Sequence, residues 1–286
     1  SVSADAQIAG EQLVLDASLQ AVAFGPTEAD AFVLRANGTP DDIDFVAELE
    51  GSTRIDALSY ETAFNMDGKL SGLTSGQLDL TTSLSAVLGD IGLTTQDPIR
   101  YTQYDDGFEA SARFAALGGT LSPNVTTRGE TAIRLNGKNL KIAPLLIIAG
   151  RPGLDGTLNI DVAFDEVDGG LAGPFSAELI AVGRPDSQLP PIDLILSGDL
   201  HPTELVTDIR AGDNESLEAA WDFTIPVRTM PAAPFIQLQD NAEIPFQASV
   251  NGQIEAVSAL IVPPNMLLRG IVDLEMSGRL PPLNES

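Results

Sequence analysis

The residues able to do chemistry are few in this sequence, and their spacing is unhelpful to catalysis. A single histidine, His201 in Leu200-His-Pro202, has nothing beside it to complete a Ser/His/Asp arrangement or a multi-histidine metal site. It reads as a turn residue after a strand. Cysteine is absent, which excludes disulfides, thiolate-ligated zinc, iron–sulfur clusters and thiol catalysis. There is no Gly-x-Ser-x-Gly elbow and no phosphate-binding loop. The acidic groups Asp41-Asp-Ile-Asp44, Asp105-Asp106 and Asp161 through Asp168 contain the hard oxygen ligands that Ca²⁺ takes. None follows the EF-hand spacing or a tandem glycine-aspartate nonapeptide, and each reads as a solvated turn. Carboxylate pairs for glycoside hydrolysis need a sugar cleft, whereas aromatic platforms are scarce at 5 % of residues. The expectation is a protein that is not an enzyme and takes no metal or cofactor.

Charge narrows the partners further. Among 286 residues, 15 basic against 41 acidic side chains leave a formal charge of −26. Phosphate backbones require clustered Lys and Arg, so nucleic acid is excluded as a partner. An anionic bilayer surface repels such a chain. With 43 % hydrophobic and 20 % charged residues, there is ample apolar surface to bury and no signature of disorder. The longest apolar run, Ala143 to Ala149, is too short for a membrane span and contains Pro144. The opening Ser-Val-Ser-Ala-Asp has no basic or apolar leader and falls within a strand-like alternation, so the chain reads as a piece of a longer protein.

The elements that must position these side chains are strands. A strand with one buried face alternates apolar and polar residues, because successive side chains point to opposite faces. Leu78, Leu80, Thr82, Leu84, Ala86 and Leu88 alternate with Asp79, Thr81, Ser83 and Ser85. Leu158, Ile160, Val162 and Phe164 are separated by Asn159, Asp161 and Ala163. The same spacing joins Ile192, Leu194 and Leu196, then Trp221, Phe223, Ile225 and Val227, then Val272, Leu274 and Met276. Helical periodicity is hard to find, while 26 Gly and 19 Pro punctuate the chain. One-sided alternation predicts antiparallel sheet rather than parallel strands buried on both faces. Leu, Val, Ile and Ala dominate the apolar positions, which suggests a lining more than a ring-filled core.

The chain also repeats itself. Ile192-Asp-Leu-Ile-Leu-Ser-Gly-Asp-Leu-His-Pro202 matches Val272-Asp-Leu-Glu-Met-Ser-Gly-Arg-Leu-Pro-Pro282. Looser versions occur at Asn65–Leu70, Ile133–Leu140 and Val250–Ile254. Repetition of this kind predicts hairpins stacked along one axis. With Gly107-Phe-Glu-Ala-Ser-Ala-Arg-Phe-Ala-Ala-Leu-Gly-Gly-Thr-Leu121 and Leu154-Asp-Gly-Thr-Leu-Asn-Ile-Asp161, these segments resemble the TamB branch of the AsmA-like proteins, bacterial relatives of the bridge-like lipid transfer proteins.

That resemblance implies an all-β fold: an elongated, curved, antiparallel-rich sheet folded into a trough, or β-taco, with an apolar interior. Residues 1–286 become one continuous repetitive segment with sub-repeats near 1–150 and 151–286. The resemblance further implies a non-enzymatic periplasmic conduit for phospholipid acyl chains between inner and outer membranes, linked to outer-membrane biogenesis. Its full-length partners are an inner-membrane anchor and an outer-membrane protein of the BamA type. Combined with the alternation, it places Leu78, Leu80, Leu84, Leu158, Ile160, Val162, Phe164, Leu194, Leu196, Trp221, Phe223, Ile225, Leu274 and Met276 in the lipid groove. Two other readings share this texture. One is a cell-surface structural or adhesive β-sandwich or β-solenoid, and the other is a scaffold for outer-membrane protein assembly by β-augmentation.

Overall fold

The computed structural model describes the chain apart from residues 1, 10–11, 25, 56–57, 149–152, 185–190, 214–216, 233, 240–241, 254–268 and 282–286. Two compact units divide it, residues 1–129 and 130–286. The expected all-β, antiparallel architecture is what the structure has, as open sheet that does not close into a barrel.

The first unit holds β1 (Val2–Ala9), β2 (Gln12–Phe24), β3 (Thr27–Thr39), β4 (Asp42–Ile55) and β5 (Leu58–Ser71). It continues with β6 (Leu78–Leu88), β7 (Ile91–Tyr104), β8 (Gly107–Ala116) and β9 (Gly119–Thr126). Each strand pairs antiparallel with the next in sequence. Local pairing of this sort needs only tight turns. At the β8–β9 turn, Leu117 and Gly118 both have positive φ, 51° and 75°, as a type I′ hairpin demands.

The second unit holds β10 (Ala132–Lys141), α1 (Ala143–Ile148), β11 (Asp155–Val167), β12 (Gly170–Gly183), β13 (Ile192–Leu200) and β14 (Glu204–Gly212). Then come β15 (Leu217–Thr229), β16 (Ile236–Leu238), β17 (Ile244–Gln253) and β18 (Ile271–Leu280). The ladder runs β10 to β15 in order, skips the short β16, and continues through β17 to β18. The only helix among the described residues, α1, starts at the apolar run, with Pro144 in its first turn where the missing N–H costs nothing. Asp168 and Gly169 form a second type I′ turn, with φ of 53° and 77°.

The repeated Ser-Gly segment has a packing reason. Gly198 of β13 lies opposite Phe175, and Gly278 of β18 lies opposite Phe246. A Cβ on Gly198 would sit 2.8 Å from the Phe175 ring, and on Gly278 3.1 Å from that of Phe246. Each glycine makes room for a neighbouring phenylalanine ring. That relation between strands is what the repeat preserves.

Candidate functional site

In an antiparallel ladder, directly opposed residues share a face, so the registers show where each alternating pattern delivers its side chains. In the second unit one row across the sheet reads Leu158, Leu179, Leu194, Ala211, Ala219, Val250, Leu274. The next reads Ile160, Ala177, Leu196, Ile209, Trp221, Ala248, Met276. A third reads Leu135, Val162, Phe175, Gly198, Thr207, Phe223, Phe246, Gly278. Each strand adds its apolar positions to the same rows, so local patterns merge into one largely apolar face, which Thr207 interrupts. Phe223 stacks on Phe246 with ring centroids 6.4 Å apart.

The opposite face is mostly polar, with Ile180, Ile195 and Val206 exposed on it. Its matching row is Asn136, Asp161, Ser176, Ser197, Asp208, Asp222, Gln247, Ser277. Asp208 and Asp222 are directly opposed, and Arg210 Nε donates to Asp208 Oδ1 at 2.9 Å. Lost hydration first, then the hydrogen bond and like charge of Asp208, hold the Asp222 carboxyl above the usual range, with Arg210 opposing. A polar hollow of ≈ 560 Å³ on this side is bordered by Asp222, Gln247, Ser249, Glu275 and Ser277.

The apolar face is unevenly filled. At one end Phe164, Leu171, Leu200 and Val227 form a buried cluster against which Val162, Phe175, Leu205, Ile225 and Phe235 pack. Strands three apart in a flat sheet are about 14 Å apart. Yet the Leu171 N–H of β12 donates to Thr229 Oγ1 of β15 at 2.7 Å, and that hydroxyl also lies 3.1 Å from the Leu171 carbonyl. The end of β15 passes beneath the β13–β14 turn, with Val227 N–H donating to Thr203 O and Thr229 N–H to Pro202 O. The sheet of this unit therefore curls between β12 and β15, beside the buried cluster. Ile192 and Leu217 form a smaller buried cluster toward the opposite strand ends. Between the clusters, Leu158, Ile160, Leu194, Leu196, Ile209, Trp221 and Phe223 are only half-buried.

The fourteen sequence-predicted groove residues are distributed as follows. The eleven from Leu158 to Met276 lie on this one face, while Asp161 and Asp222 are exposed on the other. Phe164 and Ile225 belong to the filled end. Leu274 and Met276, 42 % and 47 % exposed, sit on the last described strand. Leu78, Leu80 and Leu84 occupy a comparable face of the first unit, with Leu80 opposite Leu70 and Tyr101 and Leu84 opposite Met66. Sequence reasoning missed Phe175, Leu179, Ile209 and Phe246. The period-two signal was present in β14 as Leu205, Ile209 and Ala211, but Thr207 interrupts it.

The acidic groups have local partners. Asp41 accepts hydrogen bonds from the Thr74 amide and hydroxyl, and these hold its carboxyl below the usual range. Lys69 lies 2.6 Å from Asp42 and 3.8 Å from Asp44. Asp165 pairs with Arg134, and Arg128 lies 3.7 Å from Asp106. The His201 backbone N–H donates to Glu204 O in the β13–β14 turn. No family model, curated protein or solved structure matches the chain.

Proposed function

We propose that the apolar face carries lipid acyl chains and that the protein works without catalysis. An acyl chain of about 15 methylenes exposed to water costs on the order of 12 kcal/mol at roughly 0.8 kcal/mol per CH₂. A continuous apolar strip lowers that cost at every position along it. Non-directional contacts hold a chain without fixing it, and the polar opposite face keeps the strip hydrated from outside. The single observation behind this reading is the row register, in which seven strands from β11 to β18 line up mostly apolar, largely half-buried or exposed side chains, broken by Thr207 and with no charged residue among them.

The setting proposed with it is the periplasm of a Gram-negative bacterium, in a longer chain anchored in the inner membrane and reaching an outer-membrane partner of the BamA type. Phospholipid is the proposed cargo. The filled cluster around Leu200 favours a second reading, a structural β-module whose apolar face is simply its core.

Mass spectrometry of lipids co-purifying with the chain, together with a photoreactive residue at Phe223, separates the two. Phospholipid in the preparation and lipid adducts at position 223 support the conduit. A lipid-free protein with no adducts after incubation with phospholipid vesicles supports the module. Leu196→Arg adds a functional arm, because a long Arg side chain at a half-buried site can reach water. The variant is expected to stay folded and lose bound lipid.

A further inference from the structure

Two buried threonines in the second unit tie together strands that are not neighbours in its ladder. Thr131, just before β10, is 3 % exposed, and Thr229, the last residue of β15, is 4 % exposed. The Thr131 backbone is held on its own side by Glu166, whose carboxylate accepts the Thr131 N–H and whose N–H donates to the Thr131 carbonyl. Its hydroxyl reaches the other way and donates to the carbonyl of Pro231, two residues past β15, at 2.9 Å. Five ladder steps separate β10 from β15, which is about 24 Å in a flat sheet. At the same strand ends the Leu171–Thr229 contact closes a gap of three steps.

We infer that Thr131 and Thr229 form a latch at these strand ends, and that the latch opens as a unit while the ladder stays paired. Its opening widens the apolar face for an acyl chain, a step that rests on the lipid reading above. The case is a comparison of what holds each part. Neighbouring strands from β10 to β15 are paired along most of their length. The latch is held by hydrogen bonds through two hydroxyls and by the cluster of Phe164, Leu171, Leu200 and Val227. Sheet curvature is a sum of small twists between neighbours, so the curl relaxes with every ladder bond intact. Parts held in this way open locally at less cost than the whole fold.

Opening bares Leu171 and Val227, both 0 % exposed, and bared apolar surface is unfavourable in water. The closed latch is therefore the resting state. An acyl chain supplies the apolar contact that the cluster loses, so it binds the open state better and shifts the balance toward it. A polar cargo offers no such exchange.

The first test needs no substitution. Hydrogen exchange of the lipid-free chain is expected to show the Leu171 amide exchanging about tenfold faster than those of Leu194 and Leu196, with little dependence on urea because local opening exposes little surface. Exchange of all three only through global unfolding overturns the latch. The second test locks it. A Cβ on Gly170 would sit 2.5 Å from Thr229 Oγ1, and thus within about 4 Å of Thr229 Cβ, a spacing that a disulfide spans. Gly170→Cys with Thr229→Cys gives one unambiguous bridge, since the chain has no cysteine of its own. Oxidation is expected to slow uptake of a fluorescent phospholipid from vesicles about tenfold relative to the reduced form, and reductant to restore it. Thr131→Val, which leaves the buried Pro231 carbonyl without its donor, is expected to speed uptake several-fold. Equal uptake by the oxidised and reduced forms overturns the inference. No uptake by any form, with Leu171 still exchanging through local opening, leaves the latch standing and sinks the lipid reading instead.

Discussion

The contrast between the plugged end and the middle of the apolar face predicts two very different costs for the same truncation. Leu200 is 0 % exposed and packs with Leu171 and Val227, which are also 0 % exposed. Leu200→Ala removes a fully buried side chain and leaves a cavity that the curl and the Thr229 clasp prevent from collapsing. The expected loss is about 4 kcal/mol, within the range for such sites. In a unit of this size it lowers the melting temperature by about 10 °C. Leu196, four residues earlier on the same strand, is half-buried. Its side chain is already part-hydrated, so Leu196→Ala removes about half the transfer energy and little cavity energy, in all about 1 kcal/mol. Urea denaturation of lipid-free protein, followed by fluorescence of the one tryptophan, Trp221, reads both variants within this unit. Equal losses of about 4 kcal/mol would mean that the middle is packed as tightly as the end, and the half-open strip would be refuted. Equal small losses would refute the plug.

Ile225 is half-buried too but packs directly on the buried cluster, so Ile225→Arg is expected to lower the melting temperature of this unit clearly more than Leu196→Arg; circular dichroism melts compare them. Thr229→Val strips the buried Leu171 N–H of its hydroxyl partner, at about 1–3 kcal/mol, and hydrogen exchange at Leu171 should accelerate accordingly. Gly198→Ala drives a methyl to within 2.0 Å of the Val206 carbonyl oxygen as well as into Phe175, whereas at Gly278 the methyl meets only the Phe246 ring at 3.1 Å. The first substitution should therefore lower the melting temperature much more than the second. For Asp222 the folded carboxyl titrates above its unfolded value, so the folded state binds more protons between the two pKa values. Stability falls as pH rises through that window. Asp222→Asn should raise the melting temperature at pH 7 and give no such gain below about pH 3.8, the unfolded value. A pH series of melts on both proteins checks the sign.

The period-two alternation was enough to determine that the chain is strands, that they pair antiparallel, and that each has an apolar and a polar side. Those properties are local: a residue's face follows from its parity within the strand. Parity alone also put Trp221, Phe223 and Ile225 on one side and Asp222 on the other. What parity cannot encode is the register between strands, and so the merging of separate stripes into rows was decided by the ladder. The curl is more remote still. Leu171 and Thr229 lie at opposite ends of a four-strand stretch, and nothing in either neighbourhood announces that they will share a hydroxyl. Ile225 and Leu196 look alike as members of alternating stripes and both are half-buried, yet only Ile225 packs on the buried cluster. The difference arises because burial on a sheet face depends on what curvature brings over it, and curvature is a sum of small twists accumulated across many strands. The repeat shows the same division: sequence displays Ser-Gly twice, but only the paired strands show that each glycine lies opposite a phenylalanine.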